Sequence, residues 1–337
     1  MKDFVKRYWL EIIMILPLFL YILGFTVLPI LSNLKNSFID QRFGRKYDIL
    51  ISNIEDIRYD MRTTDDDVAY AEYEKELEEA QSELKQLENS EYAGFTLDNY
   101  RKLLDNADFR KGAGNTVAIT IIGLIIQFVC AMTIAILLSK KFRGKGFFRT
   151  VVLTPLGIPT IVSATIMTYI FDTSGYLNAF LYKIGLIENV GIDWAQGGIL
   201  SILMVVFADT WKVLPLMVLL FIAGLESIPA SVHEACAIDG SKSWYKFFTI
   251  ILPLMKPHIT IALILRAIDA FRIFELPLIL AGTSTTPVIS TYTYSEYTRQ
   301  NYNISAASGT VLTLIIVIFV FTYLYVVERE KEVEDNE

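Results

Sequence analysis

Residues 226–258 read ESIPASVHEACAIDGSKSWYKFFTIILPLMKPH. Ser227, Ile228 and Pro229 form a helix-start signal. A serine hydroxyl accepts from the first free backbone N–H groups, and a proline in the first turn lacks an N–H that would have no partner there. The short helix that follows carries Val232, Ala235 and Cys236 on one face. Asp239-Gly240 stops it, because glycine adopts the left-handed conformation a helix exit needs. Ser243 is placed to cap a second helix, in which Trp244, Phe247, Phe248, Ile251 and Leu252 recur at i, i+3, i+4, i+7 and i+8 as one broad apolar face. Pro253 and Pro257 kink or end that helix. Two readings stand for such a segment: a structural re-entry hairpin, or a docking element for a partner.

On either side of it lie long apolar runs. The chain has 337 residues, 53% hydrophobic and 20% charged, a balance foreign to a soluble domain of this length. Crossing a bilayer as a helix takes about 20 apolar residues. Residues 12–34, 112–139, 150–171 and 300–327 contain no Asp, Glu, Lys or Arg. Two further runs, 197–224 and 258–281, are apolar with a few charges. Six membrane helices are therefore expected, at about 9–31, 113–138, 150–171, 198–224, 258–281 and 307–327. The first is too long for a signal-peptide core and has no small-residue cleavage site, so it reads as retained.

Orientation follows from the basic residues of the short loops. With the N-terminus inside, the inner segments hold 13 Lys/Arg, among them Lys2, Lys6, Arg7, Lys140, Lys141 and Arg143, against only Lys183 and Arg299 outside. Both termini are expected to be cytoplasmic. The net charge of −7 belongs to residues 35–111, which hold 12 basic and 19 acidic residues, while the remainder balances at 18 against 18. That acidity says nothing about nucleic acid. Within this extracytoplasmic insert Tyr70, Tyr73, Leu77, Ala80, Leu84 and Leu87 recur at 3,4,3,4,3 spacing, a short heptad seam. It reads either as a helix or helical hairpin packed on its own loop, or as a docking arm for an extracytoplasmic partner. The expected organisation is 1–34, cytoplasmic N-terminus and first helix; 35–111, insert; 112–327, core domain with the loop at 226–257; and 328–337, acidic cytoplasmic tail.

Two cysteines, Cys130 in an apolar run and Cys236 in a polar loop, are not expected to meet, so no disulfide framework is read. His233 and His258 are too few and too far apart for a metal site. There is no GxxxxGK[ST] phosphate loop, and no catalytic constellation is expected.

The opening stretch resembles the EAA loop of binding-protein-dependent ABC importer permeases: Glu234, Ala235, then Asp239 and Gly240, followed by Phe247, Phe248, Leu252 and Pro253, with Cys236 where the family has alanine. ADTWKVLPLMVLLFIAGLESIP (208–229), LILRAIDAFRIFELPLIL (263–280), FTLDNYRKLL (95–104) and FFRTVVLTPLGIP (147–159) are similar to its carbohydrate branch. The resemblance covers nearly all of the chain outside about 40–92. It implies an all-α integral membrane protein with the type I importer permease fold in a prokaryotic cytoplasmic membrane. It also implies a second permease subunit, two ABC ATPase subunits that bind ATP and magnesium, and an extracytoplasmic solute-binding protein. Glu234, Ala235, Asp239 and Gly240 would form the surface that couples to the ATPases. The cargo implied is a sugar, oligosaccharide or related polyol. A phosphorylated polyol, or ion-coupled transport without an ATPase, remains as an alternative.

Charges inside the membrane helices are costly, about 2.5–3.5 kcal/mol each on insertion scales. Asp209 and Trp211 on the fourth helix, and Arg266, Asp269 and Arg272 with Glu275 on the fifth, are accordingly candidates for the substrate path. The alternating signs at i, i+3 equally permit an ion-pair network that fixes helix packing. Pro155, Gly157 and Pro159 point to a break in the third helix. After the fifth, Ala281–Pro287 keeps one glycine of the family's glycine-rich turn, Gly282.

Overall fold

The computed structural model describes residues 8–64, 67–90, 94–140, 142–188 and 191–334. Lys2, Lys6, Arg7 and Lys141, counted above for orientation, and the last three residues of the acidic tail lie outside the described residues. The described chain is helical, and the β-structure recorded in it is a single bridge, Ile39 to Phe95. It divides into two compact units, Met1–Asn106 with Thr293–Val311, and Ala107–Tyr292 with Leu312–Glu337.

In the first unit, α1 (Trp9–Ile22), a π-helical turn (Leu23–Val27) and α2 (Leu28–Ser37) form one apolar rod. The π turn lies just before Pro29, whose ring would press on the carbonyl four residues back in a regular helix; widening the turn relieves that contact. No part of the rod's most apolar 18-residue window is buried within the chain. The insert is a helical hairpin of α3 (Gln41–Thr63) and α4 (Asp67–Glu88). Along α4, Tyr73, Leu77, Ala80, Leu84 and Leu87 are less exposed than their neighbours, as the seam requires, while Tyr70 is exposed. The partner seam is on α3: Phe43, Tyr47, Leu50, Ile54, Ile57 and Met61, with Leu50 and Ile54 buried. Lys46 bridges to Glu83 across the hairpin at 2.8 Å. At its base, α5 (Asp98–Asp105) is tied to the end of α2, because the Asn99 amide donates to the carbonyls of Ser37 (3.0 Å) and Ile39 (2.6 Å).

The second unit is built around α6 (Ala107–Ser139), with α7 (Lys145–Leu153), a 3-10 turn (Thr154–Gly157), α8 (Thr160–Phe171), α9 (Tyr176–Lys183) and α10 (Gly198–Glu226). Then follow α11 (Ala230–Ile238), α12 (Ser243–Tyr245), a π turn (Lys246–Ile251), α13 (Leu252–Leu254), α14 (Lys256–Phe271), α15 (Glu275–Thr285) and α16 (Ile289–Thr298). The last helix, α17 (Tyr302–Glu334), begins in the first unit and continues in the second. α6, α10 and α14 pack on one another around two apolar clusters, one centred on Met167, Val205 and Leu276, the other on Met217, Phe221 and Met255. Gly224 lets α14 come close to α10, since a Cβ there would lie 2.9 Å from His258.

Four helices among the described residues are long and apolar enough to cross a bilayer: Ile13–Ser37, Ala107–Ser139, Gly198–Glu226 and Tyr302–Val327. Two of the six expected spans are bent pairs rather than single helices. Lys145–Gly157 turns by 101° into Thr160–Lys183, where Pro155, Gly157 and Pro159 predict a break, and Ser243–Leu254 turns by 70° into Lys256–Thr285. The fifth span has a second interruption, which corrects its reading as one continuous helix. α14 ends at Phe271, and α15 starts at Glu275. Pro277 accounts for this, having no N–H to continue the ladder and a ring that would clash with the carbonyl of Ile273.

Candidate functional site

The segment after α10 is a pair of short helices with an exposed outer side. α11 ends in a Schellman motif: Ser241 N–H donates to the Cys236 carbonyl (3.1 Å) and Gly240 N–H to the Ala237 carbonyl (3.3 Å). This geometry places Gly240 at φ +63°, as the Asp239-Gly240 stop predicts. The Ser241 hydroxyl donates to the same Cys236 carbonyl, at 2.9 Å. Two capping expectations need correction. Ser227 donates back to the Gly224 carbonyl (2.8 Å), so it closes α10 rather than opening α11, whose N-cap position is Pro229. Ser243 lies inside the next helix, with Lys242 before it, and makes no cap. In both places the backbone enters through an extended residue with ψ near 140°, and no side chain is needed to turn it.

α11 has two distinct sides. Cys236 is buried and Val232 packs against the second apolar cluster. Glu234, Ala235, Asp239 and Gly240, the four coupling candidates, are all exposed. The aromatic helix divides in a similar way, which corrects its single apolar face. Phe247, Ile251 and Leu252 pack on the second cluster, while Trp244 (76% exposed) and Phe248 face outward with their rings 4.3 Å apart. Ile238 is 85% exposed. The division arises in the π turn Lys246–Ile251, which precedes Pro253 as the first π turn precedes Pro29 and shifts the helical register. The outward surface thus carries acidic residues beside a bare apolar patch.

A cavity of about 340 Å3 in the same unit gathers charges from three segments: Asp209 and Lys212 of α10, Arg266 and Asp269 of α14, and Arg272 and Glu275 at the break before α15. Arg266 and Asp209 are both buried and form an ion pair. Gln127 of α6, fully buried, completes a triangle: its amide N–H donates to Asp209 Oδ2 (2.9 Å), and its carbonyl accepts from Arg266 Nε (2.7 Å). Arg266 therefore pairs across helices rather than along its own, and Gln127 is a member that charge counting misses. Asp269 and Arg272 do pair at i, i+3 (2.9 Å), and both are exposed. Glu275 stands in the first turn of α15, where the helix dipole favours a carboxylate. Trp211 is half-buried against the first apolar cluster, so in this conformation its ring belongs to the core.

Lys212 is a further residue the sequence reading passes over. Its ammonium donates to the carbonyls of Pro155 (3.1 Å), Leu156 (3.3 Å) and Ile158. At the bend of the third span the Pro155 carbonyl also accepts from the Ile158 N–H (3.2 Å), and the one ammonium gathers all three carbonyls there. After the fifth span, Gly282 sits at φ +70° and kinks α15. Thr116 and Thr291 then accept from the N–H groups of Ile289 and Val288, both at 2.9 Å, so these threonines serve helix ends.

Comparison with known proteins agrees with this architecture. Residues 113–332 match the profile of the family described as binding-protein-dependent transport system inner membrane component. The trehalose/maltose transport system permease protein MalF of Thermococcus litoralis is 34% identical over 215 residues, 63% of this chain and 72% of that protein. The trehalose transport system permease protein SugA of Mycobacterium tuberculosis is 35% identical over 190 residues, 56% of this chain and 59% of that protein. A chain of the bacterial alginate ABC transporter, solved with a pentasaccharide-bound periplasmic protein, has the same fold with a TM-score of 0.72 at 19% identity, covering 98% of this chain and 97% of that one. With its apolar helices and this match across most of its length, the chain is a multi-pass membrane protein that belongs to the binding-protein-dependent transport system inner membrane component family.

Proposed function

We propose that this chain is one pore-forming permease subunit of an ATP-driven importer for a sugar, oligosaccharide or related polyol. It crosses the membrane six times with both termini in the cytoplasm, pairs with a second permease, and receives solute from an extracytoplasmic binding protein. Two partner ATPases bind ATP and magnesium and dock on the segment at 226–257, which acts as a lever. The observation that carries the reading is the lever's outward surface, where Glu234, Ala235, Asp239 and Gly240 stand exposed beside Ile238 and Trp244. A bare apolar patch rimmed by acidic residues on a rigid helix is a docking surface. Its inward side is fixed to α10 and α14 through the second apolar cluster, so movement of the docked ATPases is passed to the spans that carry the charged cavity.

In that cavity Asp209, Arg266 and Gln127 hold α6, α10 and α14 together, and Lys212 holds the bend. Asp269, Arg272 and Glu275 are the groups left to meet cargo. Their carboxylates and guanidinium can hydrogen-bond hydroxyls as the cavity alternates between outward and inward access. The relatives named for trehalose and maltose transport support a saccharide cargo. The test is reconstitution of this chain with its genomically neighbouring ATPase, second permease and binding protein in vesicles. ATP-dependent uptake of labelled trehalose or maltose is expected, and uptake by this chain alone would overturn the reading.

A further inference from the structure

The first unit holds a second pocket, of about 370 Å3, at the base of the hairpin. Lys35 comes from the end of α2, Tyr47 and Asp48 from α3, Glu88 from the end of α4, Phe95 from the bridge segment and Tyr302 from the start of α17. The volume is that of a small-molecule site. Its walls are fixed. The Asn303 amide donates to the Asn36 carbonyl at 2.9 Å, and Gly44 is so close to Asn303 that a Cβ would lie 2.4 Å from its Oδ1.

Two properties of the lining define an occupant. The first is aromatic. Phe95 is 82% exposed, Tyr302 is partly exposed, and Tyr47 stacks on Phe43 with ring centroids 5.5 Å apart. Exposed aromatic rings favour a ligand with an apolar C–H face. The second is polar. Among the described residues, Lys35, Asp48 and Glu88 have no ion pair or hydrogen-bonded side-chain partner. Partial burial pushes the Asp48 carboxyl above its ordinary range while the residue stays exposed, with no protein group answering its charge. A simple cation entering here would meet Lys35, and a simple anion would meet Asp48 and Glu88. Hydroxyl groups both donate and accept, so a neutral polyhydroxylated ring satisfies all three while presenting an apolar face to the aromatics.

We propose that this pocket binds one saccharide unit at a site separate from the transport cavity. It rests on the sugar reading for the class of ligand, and the measurement is chosen so that the two can fail independently. Saturation-transfer difference NMR on the whole reconstituted transporter in nanodiscs, with trehalose and maltose as probes, reads binding. Vesicle uptake of the same sugars reads transport. Tyr47→Ala is expected to cut the saturation signal at least threefold, and Tyr47→Phe, which keeps the ring, is expected to retain it. Glu88→Gln is expected to weaken the signal about twofold to threefold. An unchanged signal in Tyr47→Ala overturns the site, as does the absence of signal from both sugars in the unsubstituted transporter. An equal loss in Tyr47→Ala and Tyr47→Phe also overturns it, since that pattern reports a displaced hairpin. Failure of uptake with a Tyr47-dependent signal intact would count against the transport reading alone.

Discussion

At Gly240 the backbone sits at φ +63° while the space where a side chain would begin is empty. Substitution there meets no steric obstacle, only the left-handed conformation, which costs a residue with a Cβ about 1–2 kcal/mol. Gly240→Ala is therefore expected to loosen the Schellman turn and reduce ATPase co-purification, and Gly240→Asn to do so less, because asparagine tolerates that region better. Equal retention of the ATPase by all three forms would argue that the turn is not part of the dock. At Asp209 the expectation is larger. Removing one member of a buried pair costs about 3–5 kcal/mol because the other charge is left behind, so Asp209→Ala should lower the thermal midpoint sharply. The double replacement Asp209→Leu with Arg266→Met should recover much of the loss. The sequence makes Asp209 and Arg266 visible as charges in apolar runs. It does not pair them, since spacing reports neighbours on one helix and these two are 57 positions apart. Gln127 escapes notice for a different reason: it carries no charge within an otherwise apolar run. Asp48 offers a pH test. Its raised pKa means that folding favours its protonated form, so its contribution to stability is present at low pH and lost as pH rises through the folded value. Asp48→Asn should increase amide-exchange protection of residues 46–54 at neutral pH, and the difference should vanish below the ordinary carboxylate value of 3.8.

Among the elements, the bend in the third span is legible because Pro155, Gly157 and Pro159 all oppose a continuous helix. Its repair by Lys212 is not, because a cation on α10 gives no sign of which carbonyls it will find. Lys212→Met should leave the Leu156 and Ile158 carbonyls without this donor, at about 1–3 kcal/mol for a buried polar group. Faster amide exchange across residues 158–163 would report it, and unchanged exchange would mean that another donor takes over. The hairpin seam on α4 reads from its heptad spacing. Its α3 counterpart has the same spacing, from Phe43 to Met61, but is interspersed with basic and acidic residues that hide it. The Leu-Pro pairs at 28–29 and 252–253 each follow a π turn, whereas Pro17 and Pro215 sit inside α-helices. The second π turn divides the aromatic surface in two, an outcome that regular helical periodicity cannot express.

For the whole molecule, four of the apolar runs form single helices long enough to cross a bilayer. The other two are bent pairs of helices, because composition measures the affinity of a segment for lipid and not its straightness. The first apolar rod buries none of its best window within this chain, and the lever's outward patch is likewise bare. Such surfaces call for neighbours. Expressed alone, the chain is expected to elute from size exclusion as a broad aggregate, and with the second permease and ATPases as one discrete peak. A monodisperse chain without partners would contradict this.

Cys236 gives the lever a built-in clock. Its thiol is sealed beneath α11 at 5% exposure, on the side away from the proposed dock. A maleimide can reach it only during moments when α11 lifts from the second apolar cluster. The labelling rate therefore counts those moments, and comparing it with and without nucleotide on the assembled transporter would show whether the lever rides with its membrane helices or separates from them at each stroke.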